Sequence, residues 1–284
     1  MANYADLHIH THYSDGWKSP EEVVVEAGKR GLQVIAIADH DNMRSYLQAE
    51  EAAREQDIDL IPAVEMTTYW SEDGWSASVD LLAYGMDPRN VAFQDTLRGM
   101  LKDVTERVET CCEHLTAAGY PVTLDDVLEQ NDLFPGAAPL IFALVEKGYT
   151  RDFGTGLDLF RAAWQEVRPP ALRIEDAIEA AHAAGGVTVL AHPTRIPRNE
   201  GLLSIEHLRP LVETGLDGIE VCHPNLDEAA REHYRGLAQS FDLLMTGGSD
   251  EHAFGGNFRR MGTEPVTEDM VVRLRERLND PIMD

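Results

Sequence analysis

Residues 6–16 read DLHIHTHYSDG. Apolar Leu7 and Ile9 alternate with His8 and His10, so the stretch opens as a strand, and Ser14-Asp15-Gly16 closes it as a turn. Side chains at i and i+2 of a strand lie on the same side, so both imidazoles can reach one point. Two histidines on one face, with Asp15 just past the strand end, suit either a metal site or a polar loop. Taken alone, the motif does not separate the two.

The pattern recurs along the chain. VIAIA (34–38) runs into Asp39, His40 and Asp41, and a buried strand ending in three ionisable groups needs something to satisfy them. LIPAV ends in Glu65, VTVLA ends in His192, and LLMTGGS ends in Asp250 and His252. One functional side chain from each of many strand ends is how a barrel enzyme assembles its site. The expected metal set is therefore His8, His10, Asp15, His40, Glu65, His192, Asp250 and His252. Imidazole and carboxylate without thiolate suit Mn²⁺, Fe²⁺ or Zn²⁺. So many ligands exceed the needs of one ion and imply two or three divalent ions with a bridging carboxylate.

Outward from these motifs, the chain alternates strands and helices up to about residue 87. Strands are expected at Ala5–Ile9, Val34–Ala38, Leu60–Val64 and Val79–Tyr84, with helices at Pro20–Lys29 and Ser45–Gln56. This is the alternation of a parallel α/β sheet. Tyr69, Trp70 and Trp75 are read as lying in a polar loop after Glu65, where an aromatic could stack on a base or form a lid. Residues 88–170 carry helical patterns and few strand signals, and read as an inserted helical subdomain that exits at Pro169-Pro170. Leu101, Val104, Val108, Cys111 and Leu115 recur at helical spacing, which makes Cys111 core. Alternation resumes over 171–284. The expected organisation is a discontinuous barrel domain, 1–87 with 171–284, interrupted by the insertion.

With 24 basic and 50 acidic residues the formal net charge is −26. Such a surface repels phosphate backbones and argues against stable binding of duplex nucleic acid. A small phosphorylated substrate remains compatible if bound cations supply local positive charge. The cysteines Cys111, Cys112 and Cys222 form no disulfide framework and fit a reducing compartment. MANYADLHIHTH is not a signal peptide, and no apolar run approaches the ~18 residues of a membrane span. The expectation is a soluble, cytoplasmic protein.

In order, DLHIHTHYSDG, ADHDN, AVE before Met66, LAHPTR, GIEV and GGSDEH resemble the PHP (polymerase and histidinol phosphatase) family of the amidohydrolase superfamily, over nearly the whole chain. The resemblance implies a distorted (β/α)7 TIM-like barrel, a helical insertion and a trinuclear metal site. It assigns His8, His10, Glu65 and Asp250 to a first metal. Glu65 bridges to a second, which His192 also binds, and Asp15, His40 and His252 hold a third. It implies attack on phosphorus by a metal-bridging hydroxide, with Asp250, His223 and Arg195 as the catalytic group. His223 would be the acid or a phosphate contact, and Arg195 of HPTR the phosphate-side arginine. Arg168, Arg173, Arg198 and Arg259 read as surface charges, and Phe134, Phe142, Trp164 and Arg161 as core and surface of the insertion.

Two departures stand out. The family's further histidine on the second metal falls in SVDLLAYG, where this chain has Asp80, a harder ligand that favours Mn²⁺ or Fe²⁺ over Zn²⁺. Relatives acting on nucleotides carry an Arg and a His ahead of LVEKG, where this chain has Ala137 and Pro139. The expected activity is metal-dependent hydrolysis of a small phosphomonoester, a nucleotide or sugar phosphate. The alternatives are a cyclic phosphodiesterase or 5′-3′ exonuclease on short oligoribonucleotides, and, in another class, a non-catalytic metal-binding module. A C–N or C–O bond hydrolase with a lysine-bridged metal pair finds no matching lysine.

Overall fold

The fold is described from a computed structural model, over residues 4–72, 74–196 and 201–279. The strands are β1 (Ala5–Ile9), β2 (Val34–Ile37), β3 (Asp59–Glu72), β4 (Trp75–Tyr84), β5 (Val187–Leu190), β6 (Gly218–Cys222) and β7 (Leu244–Gly247). The helices are α1 (Pro20–Arg30), α2 (Arg44–Glu55), α3 (Val91–Ala117), α4 (Leu124–Gln130), α5 (Ala137–Glu146), α6 (Phe153–Trp164), α7 (Ile174–Ala183), α8 (Ile205–Thr214), α9 (Glu228–Phe241) and α10 (Glu268–Leu278). Local chemistry sets many of these bounds. Ser19 and Glu22 form a reciprocal capping box around Pro20, and Gly31 ends α1 in the left-handed region at φ 75°.

The strands form one sheet in sequence order, β1 to β7. β1, β2, β5 and β6 are buried at every position, as expected of strands covered on both faces. Their pairings β1/β2, β2/β3, β5/β6 and β6/β7 are parallel. β4 departs from the expected all-parallel pattern: it runs antiparallel to both β3 and β5. β3 continues past Glu65 to Glu72 and pairs with β4 from Ala63↔Tyr84 to Glu72↔Trp75. Tyr69, Trp70 and Trp75 thus lie on strands, not in a polar loop. Aromatic and β-branched residues in alternation, TTYW against WSASV, favour this hairpin. Trp70 is fully buried, edge-on to Trp75 at 5.2 Å, and so offers no face to a base. After β7 the chain returns to β1: Asp250 N–H donates to His8 O at 2.9 Å and His10 N–H donates to Glu251 O at 3.0 Å.

The main core joins the sheet to the flanking helices. Helices α3–α6 share a second apolar cluster that includes Val108, Cys111, Leu115, Leu140, Leu144 and Phe160. Arg107 is buried at its edge, with its guanidinium 4.7 Å from the Trp164 ring and its Nε donating to Arg168 O at 3.2 Å. The segment after α4 docks on the loop after β1. There Asn131 Nδ2 donates to His12 O (3.1 Å) and Ser14 O (2.6 Å), and Arg44 donates to Leu133 O at 2.7 Å. Among the described residues no helix is long and apolar enough to cross a membrane.

Candidate metal centre

His8 and His10 project from β1 on one side, as their spacing predicts. His40 follows β2, His192 follows β5, His223 follows β6, and Asp250 and His252 follow β7. Glu65 departs from the strand-end expectation, since it lies inside β3, while Asp80 lies inside β4 as read. Their hairpin extends beyond the site, and the antiparallel β4 cannot present its C-terminal end on the side where the parallel strands end.

Glu65 is the centre of the arrangement. Its Oε2 lies 3.1 Å from His8 Nε2, 3.2 Å from His10 Nε2 and 3.5 Å from His40 Nε2, while its Oε1 lies 2.8 Å from His192 Nε2. Asp250 Oδ1 is 3.2 Å from His10 Nε2 and 3.7 Å from His8 Nε2. Its Oδ2 accepts from Arg195 at 2.7 Å and lies 3.4 Å from His223 Nε2. Asp15 Oδ1 is 3.2 Å from His252 Nε2 and 3.6 Å from His10 Nδ1. Five overlapping triplets bring ligand atoms within 4.8 Å of one another, drawn from His8, His10, Asp15, His40, Glu65, His192, Glu220, His223, Asp250 and His252. Asp80 belongs to none of them; its Oδ2 is 3.8 Å from His192 Nε2.

Hydrogen-bond chemistry shows that the set fits cations. His8 Nδ1 donates to Glu220 Oε1 at 3.2 Å, so a neutral ring turns the Nε2 lone pair toward Glu65 and Asp250. His252 Nδ1 likewise donates to Asp250 O at 2.8 Å and turns its Nε2 toward Asp15. Lone pair then faces lone pair unless a proton or a metal ion lies between. His10 Nε2, Asp15 Oδ1, His40 Nδ1 and His223 Nε2 are buried without hydrogen-bond partners, which is costly unless a ligand satisfies them.

Without metal, protons fill this role. Burial alone would lower the pKa of His10, but Asp250, Glu65 and Asp15 outweigh it and push it up to about 10. His8 is raised against the same burial by Glu65 and Glu220, and His40 by Glu65 and Asp15. The surrounding imidazoles hold Glu65 and Asp250 well below the carboxylate range despite their burial. Asp80 moves upward through burial and the nearby Glu65 charge.

The backbone is bent to serve these positions. His192 (φ 26°), Asp250 (φ 50°) and Asp41 (φ 54°) all sit in the left-handed region, at a cost of about 1–3 kcal/mol each. The GGSDEH motif has a steric origin. A Cβ on Gly247 would lie 2.2 Å from Cys222 O, and one on Gly248 would lie 2.4 Å from His8 N.

Some functional positions escaped the sequence reading. Glu220, in GIEV, carried no assigned role there. It is fully buried and orients two histidines: His8 through Nδ1, and His192 through its backbone N–H, which donates to Oε2 at 2.7 Å. A carboxylate inside an otherwise apolar strand was the available signal. Phe134 and Phe142 were read as core of the insertion. Phe134 is buried in that core and also stacks on His40 at 5.9 Å, whereas Phe142 lines a cleft beside Asp15. Of the described arginines, only Arg195 touches the set. Arg168 binds Asp103 and Glu106, Arg173 binds Glu175 and Ser71, Arg259 is exposed, and Arg198 lies outside the described residues.

Fold and site together define an α/β protein with a buried cluster of histidines and carboxylates, gathered around Glu65, that could hold metal ions. A family model described as the PHP domain matches residues 6–126. The chain is 30% identical over 265 residues to a 5′-3′ exoribonuclease of Haemophilus influenzae, covering 89% of this chain and 91% of that protein. It is 29% identical to a 3′,5′-nucleoside bisphosphate phosphatase of Chromobacterium violaceum, covering 95% and 93%. A crystal structure from Bifidobacterium adolescentis, whose description proposes a metal-dependent phosphoesterase, superposes with TM-score 0.84 at 33% identity over 98% and 97% of the two chains. The chain belongs to the PHP family.

Proposed function

We propose that this PHP-family, metal-dependent phosphoesterase hydrolyses a small phosphomonoester, a nucleotide or a sugar phosphate. The observation that carries the reading is Glu65, a buried carboxylate approached by the Nε2 atoms of four histidines from three different segments. In this reading His8, His10, Glu65 and Asp250 hold one ion, and Glu65 also serves a second with His192. Asp15, His40 and His252 hold a third. Asp80 stands beside His192 as a further carboxylate for the second. Bound divalent ions supply an activated water and neutralise the phosphoryl oxygens.

The remaining work falls to protein side chains. Arg195 is half-exposed at the rim with Nη2 on Asp250 and Nε donating to the Asn225 side-chain oxygen, and its Nη1 suits a phosphoryl oxygen. His223 Nδ1 accepts from Asn225 N–H at 3.1 Å, which places the neutral ring's proton on Nε2. Burial lowers the His223 pKa, which favours the neutral ring. It is thus a hydrogen-bond donor toward a phosphoryl or leaving oxygen. Glu220 positions His8 and His192. We further read the seven strands as a closed, distorted barrel, supported by the hydrogen bonds from the segment after β7 back to β1. We read 88–170 as an inserted subdomain, supported by its own apolar cluster. The three free, buried cysteines support a reducing, cytoplasmic setting.

The test is metal content by mass spectrometry on protein purified without chelator, paired with phosphate release from monoesters, bisphosphates, cyclic phosphates and short RNAs. About two or three ions and release from monoesters are expected. Mononucleotide release from RNA alone would replace the monoester by a diester. Stoichiometric metal without phosphate release from any ester would overturn the catalytic reading.

A further inference from the structure

A cleft of about 660 Å³ opens beside the ligand set, between the loop after β1 and helices α4 and α5. The barrel side contributes His12, Asp15 and Trp17, and the insertion contributes Glu129, Asp132 and Phe142. Asp15 faces both this cleft and the cluster with His10 and His252. An ester held at the ligand set has room for its leaving group in this cleft.

Two features of the walls bear on what that group is. The first is charge. Among the described lining residues there is no lysine or arginine. The nearby cations are engaged elsewhere: Arg44 donates to Leu133 O and lies 5.3 Å from the Tyr13 ring, and Lys18 pairs with Glu22 at 2.9 Å. Asp15 is committed to the ligand set, but Glu129 and Asp132 remain as exposed carboxylates on the far wall. A second phosphate placed there would meet like charge with no compensating lysine or arginine. The second feature is apolar. Trp17 is 46% exposed and meets Phe142 edge-on at 5.3 Å. Phe142 in turn meets Phe254, which stacks on His252 at 5.1 Å. A continuous aromatic wall thus runs from the ligand set into the cleft, and such a wall favours a flat ring.

We infer that the substrate carries a single phosphate and an uncharged, ring-bearing leaving group that packs against Trp17. This rests on the phosphoesterase reading above and narrows it. Adenosine 5′- and 3′-monophosphate are the matched probes against adenosine 3′,5′-bisphosphate, assayed with the full chain loaded with Mn²⁺. We expect kcat/KM to favour a monophosphate by about tenfold or more at low salt, and the gap to shrink as salt screens the carboxylates. The double variant Glu129→Lys, Asp132→Lys should move the ratio toward the bisphosphate by about tenfold, a comparison made within one protein and so insensitive to its folded fraction. Trp17→Ala should raise KM for the adenosine and phenyl esters by a larger factor than for glycerol phosphate. A bisphosphate preferred by the native chain, or a ratio unmoved by charge reversal, overturns the inference while the phosphoesterase reading stands. Failure to release phosphate from any ester overturns that reading, and the inference with it.

Discussion

Glu220→Gln tests the site where its logic is tightest. Glu220 accepts two hydrogen bonds inside the protein, from His8 Nδ1 at 3.2 Å and from His192 N–H at 2.7 Å, and is fully buried. Glutamine keeps the shape but offers one acceptor and one donor. If its oxygen serves His192, its amide N–H faces His8 Nδ1 and drives the ring to the other tautomer. The His8 proton then sits on Nε2, pointing at Glu65 and Asp250 where a cation belongs. If His8 instead keeps its Nδ1 proton, two donors face each other, and a buried donor left unsatisfied costs about 1–3 kcal/mol. Loss of such an orienting partner typically lowers metal affinity about 10–100-fold, equivalent to about 1.4–2.7 kcal/mol. The assay is metal affinity by competition with a chromogenic chelator, read alongside the melting temperature of metal-free protein. A merely structural role predicts a lower melting temperature for the metal-free chain, about 2–4 °C per kcal/mol, with affinity unchanged. Native metal affinity in a folded Glu220→Gln protein would refute the orienting role.

Three other outcomes follow from the same geometry. His10 is protonated in the metal-free protein, its pKa raised to about 10. Its stabilising contribution is fully present below the ordinary imidazole value and is lost as pH rises through about 10. A ligand must be neutral, so metal binding should release protons and tighten with rising pH, seen as a buffer-dependent calorimetric enthalpy; identical enthalpies in buffers of different ionisation heat would contradict this. Arg195→Ala should lower kcat/KM by about 10–100-fold, the worth of a charged hydrogen bond, at constant metal content, with Arg195→Lys restoring only part; parallel loss of metal would make Arg195 a support for Asp250 instead. Gly248→Ala places a Cβ 2.4 Å from His8 N, and such overpacking should destabilise the chain by about 1–3 kcal/mol in chemical denaturation; an unchanged midpoint would mean that the segment after β7 can shift away from β1.

Legibility followed the range of the forces involved. β1, β5, α7 and α10 have the bounds that their sequences suggest, because continuous apolar runs, caps and glycines act within a few residues. The direction of β4 was not readable. Alternation reveals which face of a strand is buried but not whether its neighbour runs parallel, and the βαβ rhythm on either side pointed the wrong way. The same gap misplaced Tyr69, Trp70 and Trp75, whose polar neighbours look like a loop until the partner strand is in view. Glu220 illustrates another limit. Its residue type was visible, but its task depends on where His8 lies, 212 residues away in the chain.

The sequence by itself determined the donor types, their placement on or just past apolar strands and the acidic character of the surface, since these follow from residue chemistry and short-range periodicity. Only the tertiary structure decided that four imidazoles meet at Glu65, that Glu220 stands behind His8, and that Phe134 and Phe142 bring the segment around α5 against the site. Those contacts join segments distant in the chain. They exist because burying apolar surface brings the strands side by side, and the hydrogen-bond needs of the polar groups buried with them then leave few arrangements open.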